Sequence, residues 1–287
     1  MNRLLEDLLK VMTLERLELD LFRGESRDIG SAQVFGGQVL GQALVAATAT
    51  VDGPRIVHSL HAYFLRRGDF DAPIVYEVDR ARDGNHFATR RVVAIQHGEQ
   101  IFNLSASFQS PESGFDHQRP MPDVAAPETL PDAEHHYRAV LAQLPGRVRR
   151  MLQIQRPFQF RLVEAPDILN PVRGPALRHI WFRAVDRLPD DEALHRSLLA
   201  YVSDYNLLET AILPHGVPFG SDRLVMASID HAMWFHRPVR VDEWLLYATD
   251  SPSASGARGF ARGSIFSTDG RLVASTCQEG LIRPIVK

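Results

Sequence analysis

His61-Ala62-Tyr63-Phe64 and His231-Ala232-Met233-Trp234 are the stretches of sequence that decide the fold, because they open two copies of an internal repeat. Residues 58–109 resemble residues 228–278 at an offset of 169 to 171 positions. Chance similarity is the alternative explanation, but a shared order of matches favours a tandem repeat, which sets the whole fold. The further matches are Ile74-Val75-Tyr76 with Leu245-Leu246-Tyr247, Arg91 with Arg262, and Ser107-Phe108-Gln109 with Thr276-Cys277-Gln278.

Each copy has the pattern of several strands behind one helix. Runs rich in Val, Ile, Phe, Tyr and Trp are separated by turn formers such as Arg82-Asp83-Gly84-Asn85 and Asp269-Gly270, which is typical of antiparallel strands. Ahead of each copy lies an apolar stretch without strand alternation, Val39 to Thr48 and Leu198 to Leu213. Because both stretches are rich in Leu and Ala, they predict helices. The sequence therefore predicts an α+β protein of two halves, each a long helix with an antiparallel sheet.

The two halves are separated by a segment dense in proline. Ten of the eighteen prolines lie between residues 111 and 175, which excludes long regular elements there. We therefore divide the chain into an N-terminal domain at 1–112, a connecting segment at 113–175 and a C-terminal domain at 176–287. Within this frame the patterns predict helices at Leu4 to Val11 and around Tyr137 to Leu144, an alternating strand through Leu17, Leu19 and Leu21, and a strand at His179 to Val185.

Composition excludes several classes of protein. The 287 residues are 45% hydrophobic and 23% charged with a formal net charge of -3, which fits a globular chain and gives no sign of a nucleic-acid partner. The single cysteine, Cys277, excludes an intramolecular disulfide and suits a reducing compartment. Eighteen apolar residues never run together, and the N-terminus lacks a secretory signal pattern. We expect a cytoplasmic protein without a membrane span.

Asp204 is the carboxylate that the helical pattern singles out. It is the one acid between Leu198 and Leu208, amid Leu, Ala, Val and Tyr. A helix that is apolar on nearly all sides is buried, and an ionised carboxylate there costs several kcal/mol unless it is paired or hydrogen-bonded. Asp204 is therefore either a structural acid, with Ser203 and Asn206 as partners, or a functional acid with a tuned pKa.

Gln278 and Ser228 are weaker candidates. Alternation along the last strand sends Cys277 and Gln278 to opposite faces, and an inward amide can both donate and accept hydrogen bonds to orient water. Taken alone, such a glutamine is more often exposed, a serine at a strand start such as Ser228 is more often a turn residue, and Cys277 is better explained as a buried strand residue than as a nucleophile. Motifs for a serine hydrolase, a nucleotide site and a metal-binding histidine pair are missing. We expect no metal and no cofactor.

Several longer strings resemble the acyl-CoA thioesterase II family over nearly the whole chain: AQVFGGQVLGQAL at 32–44, VHSLHAYFLRRGD at 57–69, RDGNHFATRRV at 82–92, VSDYNLLE at 202–209, SIDHAMWFHRP at 228–238 and STCQEG at 275–280. The resemblance implies a tandem double hotdog fold, in which an antiparallel sheet wraps a long central helix in each half. It also implies hydrolysis of acyl-CoA to free fatty acid and coenzyme A, with a homo-oligomer, a dimer or tetramer, as the expected assembly.

The family's catalytic residues fall on Asp204, Ser228 and Gln278 by their motifs. Many relatives have threonine where this chain has Ser228, which keeps the hydroxyl group. We expect Asp204 to act as general base, with Ser228 and Gln278 holding the same water. Because no Asp or Glu occurs between Ser31 and Thr50, the first half has no counterpart of Asp204, and Gln109 alone would leave it catalytically silent.

Substrate-binding residues are harder to assign from the sequence. Gly36-Gly37 at a helix start is a candidate for close approach to the ligand, and Arg258 and Arg262 are candidates for the coenzyme's phosphates.

Two other functions remain open at this level. One is a hydratase or dehydratase on the same scaffold, although Asp204-Tyr205-Asn206 is followed by Leu207 rather than by the proline and histidine of the hydratase motif. The other is an acyl-CoA binding protein without turnover. Formation of hydroxyacyl-CoA or ligand binding without thiol release would distinguish these from a thioesterase.

Overall fold

A computed structural model describes residues 1–30, 33–165, 167–218, 221 and 223–285, without the side chain at 147. Its helices are α1 (Arg3–Met12), α2 (Gly36–Thr48), α3 (Ala133–Arg138), α4 (Gly146–Gln153) and α5 (Glu192–Ser203), with 3-10 turns at Pro127–Thr129, Leu141–Gln143 and Leu208–His215. Its strands are β1 (Glu15–Glu18), β2 (Leu21–Gly24), β3 (Ile56–Phe64), β4 (Ile74–Asp83), β5 (Phe87–Gln96), β6 (Glu99–Gln109), β7 (Phe158–Leu162), β8 (Leu177–Ala184), β9 (Leu224–Ser228), β10 (Asp230–Phe235), β11 (Leu245–Ser255), β12 (Arg258–Ser267) and β13 (Leu272–Pro284).

The strands of the described residues form a single antiparallel sheet of thirteen strands with two matching halves. The first half has the order β1-β2-β4-β5-β6-β3 and the second has the order β10-β13-β12-β11-β8-β7, while β9 pairs with β13. The halves meet where β3 pairs with β10, and there Ala232 lies opposite His61. Both copies of the repeat therefore place the same strand at the junction, and the sheet continues unbroken across it.

The strand pairing corrects the repeat alignment by one or more residues. If Arg91 and Arg262 are taken as equivalent, as the repeat predicts, then their partners Ser105 and Cys277 are equivalent as well. Ser105 in turn pairs with His61, whereas Cys277 pairs with Ala232. The equivalent of His61 is therefore Ala232 and not His231. Burial agrees, because His61 is exposed while His231 is fully buried on the other face of its strand.

The two long helices pack against each other inside the sheet. Leu40 and Leu44 of α2 share one core with Leu198 and Leu199 of α5, and all four side chains are fully buried. The helices run antiparallel and close together because small residues face the neighbouring backbone; a Cβ on Gly41 would lie 3.1 Å from the Ser197 carbonyl oxygen. Each half is thus a helix wrapped by an antiparallel sheet, as predicted.

The predicted second helix is wrong at both ends. It begins at Glu192, where the Asp191 side chain accepts hydrogen bonds from the first-turn N–H groups, and it ends at Ser203 instead of Leu213. Asp204 is the C-terminal cap, and two residues later Asn206 adopts a left-handed backbone with φ 64°. Asparagine tolerates that conformation better than most residues, so the apolar sequence continues as the 3-10 turn instead of as α-helix.

The entry and connecting segments depart in part from prediction. Helix α1 is confirmed. In place of the one strand predicted through Leu17, Leu19 and Leu21, the structure has the two short strands β1 and β2, and Leu17 and Leu19 are exposed, at 44% and 59%. Helix α3 ends at Arg138 and only a 3-10 turn follows. Strand β7 lies in the proline-rich stretch but pairs with β8, which adds it to the second half of the sheet. The boundaries 1–112, 113–175 and 176–287 stay a prediction. No helix among the described residues is long and apolar enough to cross a membrane.

Candidate active site

Asp204 lies where α5 ends, enclosed by both halves. Its side chain is 6% exposed, and Oδ1 accepts a hydrogen bond of 2.7 Å from Nε2 of Gln278. Burial raises the pKa of the carboxyl above its ordinary value, while hydrogen bonds from Gln278 and from the backbone of Gly37 lower it and only partly compensate. The result is a buried acid whose base strength is greater than that of a surface aspartate.

Gln278 and His231 form the wall behind Asp204. Gln278 Nε2 also lies 3.2 Å from Nδ1 of His231, and Nε2 of His231 lies 3.0 Å from the Ser203 hydroxyl. Because that hydroxyl donates to the Ala200 carbonyl, the imidazole donates from Nε2 and accepts at Nδ1. Burial lowers the pKa of His231 to about 4. The neutral ring therefore fixes the orientation of the Gln278 amide.

This orientation leaves one strong acceptor unused. Gln278 is 1% exposed, and its Oε1 is buried without a hydrogen-bond partner among the described residues. Burying such an acceptor costs free energy unless a ligand or a water donates a hydrogen bond to it. Gln278 lines a cavity that Asp204 and Ser228 also line. Sequence analysis missed His231, whose only signal was its place in the SIDHAMWF string.

Ser228 ends β9 directly beside the last strand. It pairs with Gly280, two residues beyond Gln278, so that β9 brings its side chain to the same cavity. Its hydroxyl makes no hydrogen bond within the described part of the chain. The three residues predicted from distant motifs, Asp204, Ser228 and Gln278, therefore line one cavity.

The first turn of α2 closes the site from the other half. Phe35 is the N-terminal cap and contributes no side-chain hydrogen bond, while the Gly37 N–H donates to Asp204 and the Gln38 N–H donates to the Phe35 carbonyl. A Cβ on Gly36 would lie 2.8 Å from Asp204 Oδ2, and one on Gly37 would collide with the Tyr201 carbonyl. Glycine is therefore required at both positions for this close approach. The structure brings Gly36 to the cavity that Asp204 lines.

Asp204 lines two cavities. The larger, of about 640 Å³, is walled by aromatic side chains such as Phe35, Phe160 and Tyr205. The smaller, of about 340 Å³, holds Ser228 and Gln278 and is also lined by Arg66, Arg67 and Gly68. Asp204 is thus shared between an aromatic-walled cavity and a more polar one.

Arg258 and Arg262 are not brought to this site. Neither lines either of these two cavities; Arg258 pairs with Glu279 at 2.9 Å, and Arg262 pairs with Asp250 through two nitrogens. Cys277 points to the opposite face from Gln278, and burial raises the pKa of its thiol, which is the reverse of what a nucleophile needs. Within the described ranges, no group of three His, Cys, Asp or Glu residues could hold a metal ion.

The first half lacks the equivalents of the site residues. Ala261 pairs with Gln278 in the second half, and the matching pair in the first half is Arg90 with Ala106. Ala106 is thus the counterpart of Gln278. Gln109, the predicted counterpart, instead donates to Glu112 at 3.1 Å. Helix α2 has no acid, and alanine stands where the second half has Gln278. The buried arrangement of Asp204, Gln278 and His231 therefore occurs once among the described residues.

Comparison with protein-family models gives two matches in order along the chain. Residues 23–109 match the acyl-CoA thioesterase N-terminal domain, and residues 152–281 match the acyl-CoA thioesterase model. The division between the two matches falls in the proline-rich segment.

Relatives and solved structures agree with these matches. The chain is 44% identical to acyl-CoA thioesterase 2 of Haemophilus influenzae over 99% of both chains, and 40% identical to human acyl-coenzyme A thioesterase 8 over 95% of this chain and 88% of that protein. The crystal structure of an acyl-CoA thioesterase II from Mycobacterium marinum superposes with a TM-score of 0.79 at 44% identity, covering 96% of this chain and 98% of that one. A protein from Alicyclobacillus acidocaldarius described as having the hot dog fold gives a TM-score of 0.79 at 20% identity, covering 98% of this chain and 99% of that one. The predicted tandem hotdog fold is confirmed, and the chain belongs to the acyl-CoA thioesterase family.

Proposed function

We propose that this acyl-CoA thioesterase uses Asp204 as general base, with Ser228 and Gln278 holding the attacking water. The observation that carries the proposal is the buried Oε1 of Gln278, which has no hydrogen-bond partner among the described residues, on a side chain that lines the same cavity as Asp204. A water there can donate one hydrogen bond to Gln278 Oε1 and the other to an oxygen of Asp204. The Ser228 hydroxyl can donate to the same water, which completes its polar contacts.

The reaction then needs only proton transfers between water, Asp204 and the leaving group. As the water oxygen bonds to the thioester carbon, one of its protons passes to the Asp204 carboxylate. The tetrahedral intermediate collapses with cleavage of the carbon–sulfur bond, and the proton on Asp204 goes to the departing thiolate. The products are a free acid and coenzyme A, and the carboxylate is restored. Burial assists the first step because it raises the pKa of Asp204 toward that of an effective base.

The start of α2 suits the negative charge that develops on the carbonyl oxygen. Its first turn carries no side-chain cap and approaches Asp204 through Gly36 and Gly37. The Gly36 N–H, which makes no hydrogen bond with a described residue, and the positive end of the helix dipole there favour an anion. One oxyanion donor contributes about 2.7 to 4 kcal/mol in comparable sites.

The experiment that tests this proposal measures thiol release from acyl-CoA by single substitutions. Asp204→Asn removes the base at nearly constant shape, and we expect kcat to fall roughly 100 to 10,000 fold. Ser228→Thr keeps a hydroxyl and should stay within a few-fold of the unmodified enzyme, whereas Ser228→Val, with the shape of threonine, should lose most activity. Equal rates for the threonine and valine variants would contradict a role for the hydroxyl, and unchanged turnover in Asp204→Asn would refute the mechanism.

The hydratase alternative is weakened by the position of His231. A hydratase needs a histidine that reaches substrate, and His231 Nδ1 lies 4.0 Å from Asp204 Oδ1. Both ring nitrogens, however, are engaged by Gln278 and Ser203, and the side chain is fully buried and lines neither cavity. Incubation with an enoyl-CoA should therefore produce no hydroxyacyl-CoA.

A cytoplasmic location and a homo-oligomer stay predictions. Light scattering on the purified protein will check the second.

A further inference from the structure

The charged residues around the two cavities differ sharply in sign. Acids dominate the larger cavity, where, among the described residues, Arg156 and Arg178 oppose six carboxylates: Asp132, Glu134, Glu164, Asp167, Asp204 and Glu209. The smaller cavity balances Arg66 and Arg67 against Asp204 and Glu209. A polyanion is therefore repelled from the larger cavity relative to the smaller one.

Arg67 is the cation in the smaller cavity that has no hydrogen-bond or ion-pair partner among the described residues. Arg66 is held by Glu99 at 2.5 Å and donates to the Gln100 carbonyl at 2.7 Å. Arg67 is exposed and makes neither a hydrogen bond nor an ion pair with any described residue. By contrast, the arginines of the larger cavity are occupied, because Arg156 stacks on Tyr205 and Arg178 pairs with Glu209 at 3.0 Å.

The wall of the larger cavity suits a hydrocarbon chain. Tyr205 packs against Phe35 and Phe160, with ring centroids 4.4 and 5.5 Å away, and Ile154 and Leu152 add aliphatic surface. The carboxylates of this cavity include exposed ones such as Asp132, at 61%. An acyl chain gains from contact with the apolar wall and loses nothing to the surrounding acids.

We propose that the substrate lies across Asp204 with its coenzyme A phosphates bound by Arg67 in the smaller cavity and its acyl chain in the larger one. The proposal rests on the hydrolytic function above. It follows from the geometry of a thioester, whose acyl chain and pantetheine arm leave the carbonyl carbon in opposite directions, and from the position of Asp204 in the lining of both cavities. The sequence RRGD at 66–69 thus replaces Arg258 and Arg262 as the coenzyme-binding signal.

The test compares two substrates with the same acyl group, the coenzyme A thioester and the N-acetylcysteamine thioester, which lacks the phosphates and adenosine. Arg67→Ala should raise the KM for acyl-CoA about tenfold or more with little change in kcat. For the truncated thioester the KM should change less than twofold. Arg67→Lys, which keeps the charge, should restore most of the loss, and Arg91→Ala, at an exposed arginine outside both cavities, is the matched control.

Equal effects of Arg67→Ala on both substrates, or none on either, would overturn the assignment. Failure of the hydrolytic function is distinguishable, because Asp204→Asn should then leave turnover of both substrates intact. A second measurement tests the other end of the substrate. Ile154→Trp and Phe160→Trp should reduce kcat/KM for long acyl chains at least tenfold and leave short chains unaffected. If these variants instead raised the KM for acyl-CoA and left the KM for the truncated thioester unchanged, the substrate would lie in the opposite orientation.

Discussion

Acid should destabilise this protein through His231, and the magnitude follows from its burial. The imidazole is fully buried, which lowers its pKa from 6.5 to about 4 in the folded protein. The unfolded chain keeps the ordinary value and therefore binds the proton more tightly than the folded state does. The free energy of unfolding consequently falls as the pH drops from 6.5 toward 4. At about 1.4 kcal/mol per pKa unit, the full loss is about 3 kcal/mol.

Urea unfolding of the purified protein at pH 8 and pH 4.5, followed by tryptophan fluorescence, measures this loss. In His231→Asn the new amide oxygen can accept the Gln278 hydrogen bond but takes up no proton in this range. We expect the unmodified protein to lose about 2 to 3 kcal/mol more than the variant between the two pH values. Other histidines with lowered pKa, such as His58 and His236, contribute to both proteins and cancel. Equal losses would refute the claim that His231 stays neutral because it is buried.

Two further predictions concern the carboxylate and its glycine neighbour. Because burial raises the pKa of Asp204, the contribution of its carboxyl to stability is present at low pH and is lost as the pH rises through the pKa of the folded state. Asp204→Asn should therefore melt at a higher temperature than the unmodified protein at pH 8, by about 2 to 4 °C for each kcal/mol recovered. A lower melting temperature for the variant would contradict this. Gly36→Ala places a methyl group 2.8 Å from Asp204 Oδ2 and should lower kcat at least tenfold. The control is Gly114→Ala, where a methyl group meets nothing within 4 Å and kcat should be unchanged. Similar kcat values for the two variants would show that the close approach of Gly36 to Asp204 is not needed.

The tandem organisation could be predicted from the sequence because it rests on local patterns. Strand alternation, turn residues and apolar helical stretches repeat within each half, and each is decided by neighbours in the chain. The end of the second helix could not be predicted in this way. Leucine, alanine and isoleucine still predominate at 207–213, yet the chain leaves the α-helix at Asp204 because Asn206 takes a left-handed backbone and the following turn packs against the sheet.

The residue types of the site, an acid, a hydroxyl and an amide, were already present in the motifs that carry Asp204, Ser228 and Gln278. Only the tertiary structure decided what surrounds them. His231 orients the Gln278 amide from a strand 47 residues away, and α2 of the first half meets Asp204 of the second. Charge balance around a cavity is likewise a property of residues gathered from many elements, so Arg67 could not be separated from Arg258 and Arg262 by sequence. Local pattern determines which elements form, whereas burial, pKa and free hydrogen-bonding capacity depend on contacts between residues far apart in the chain.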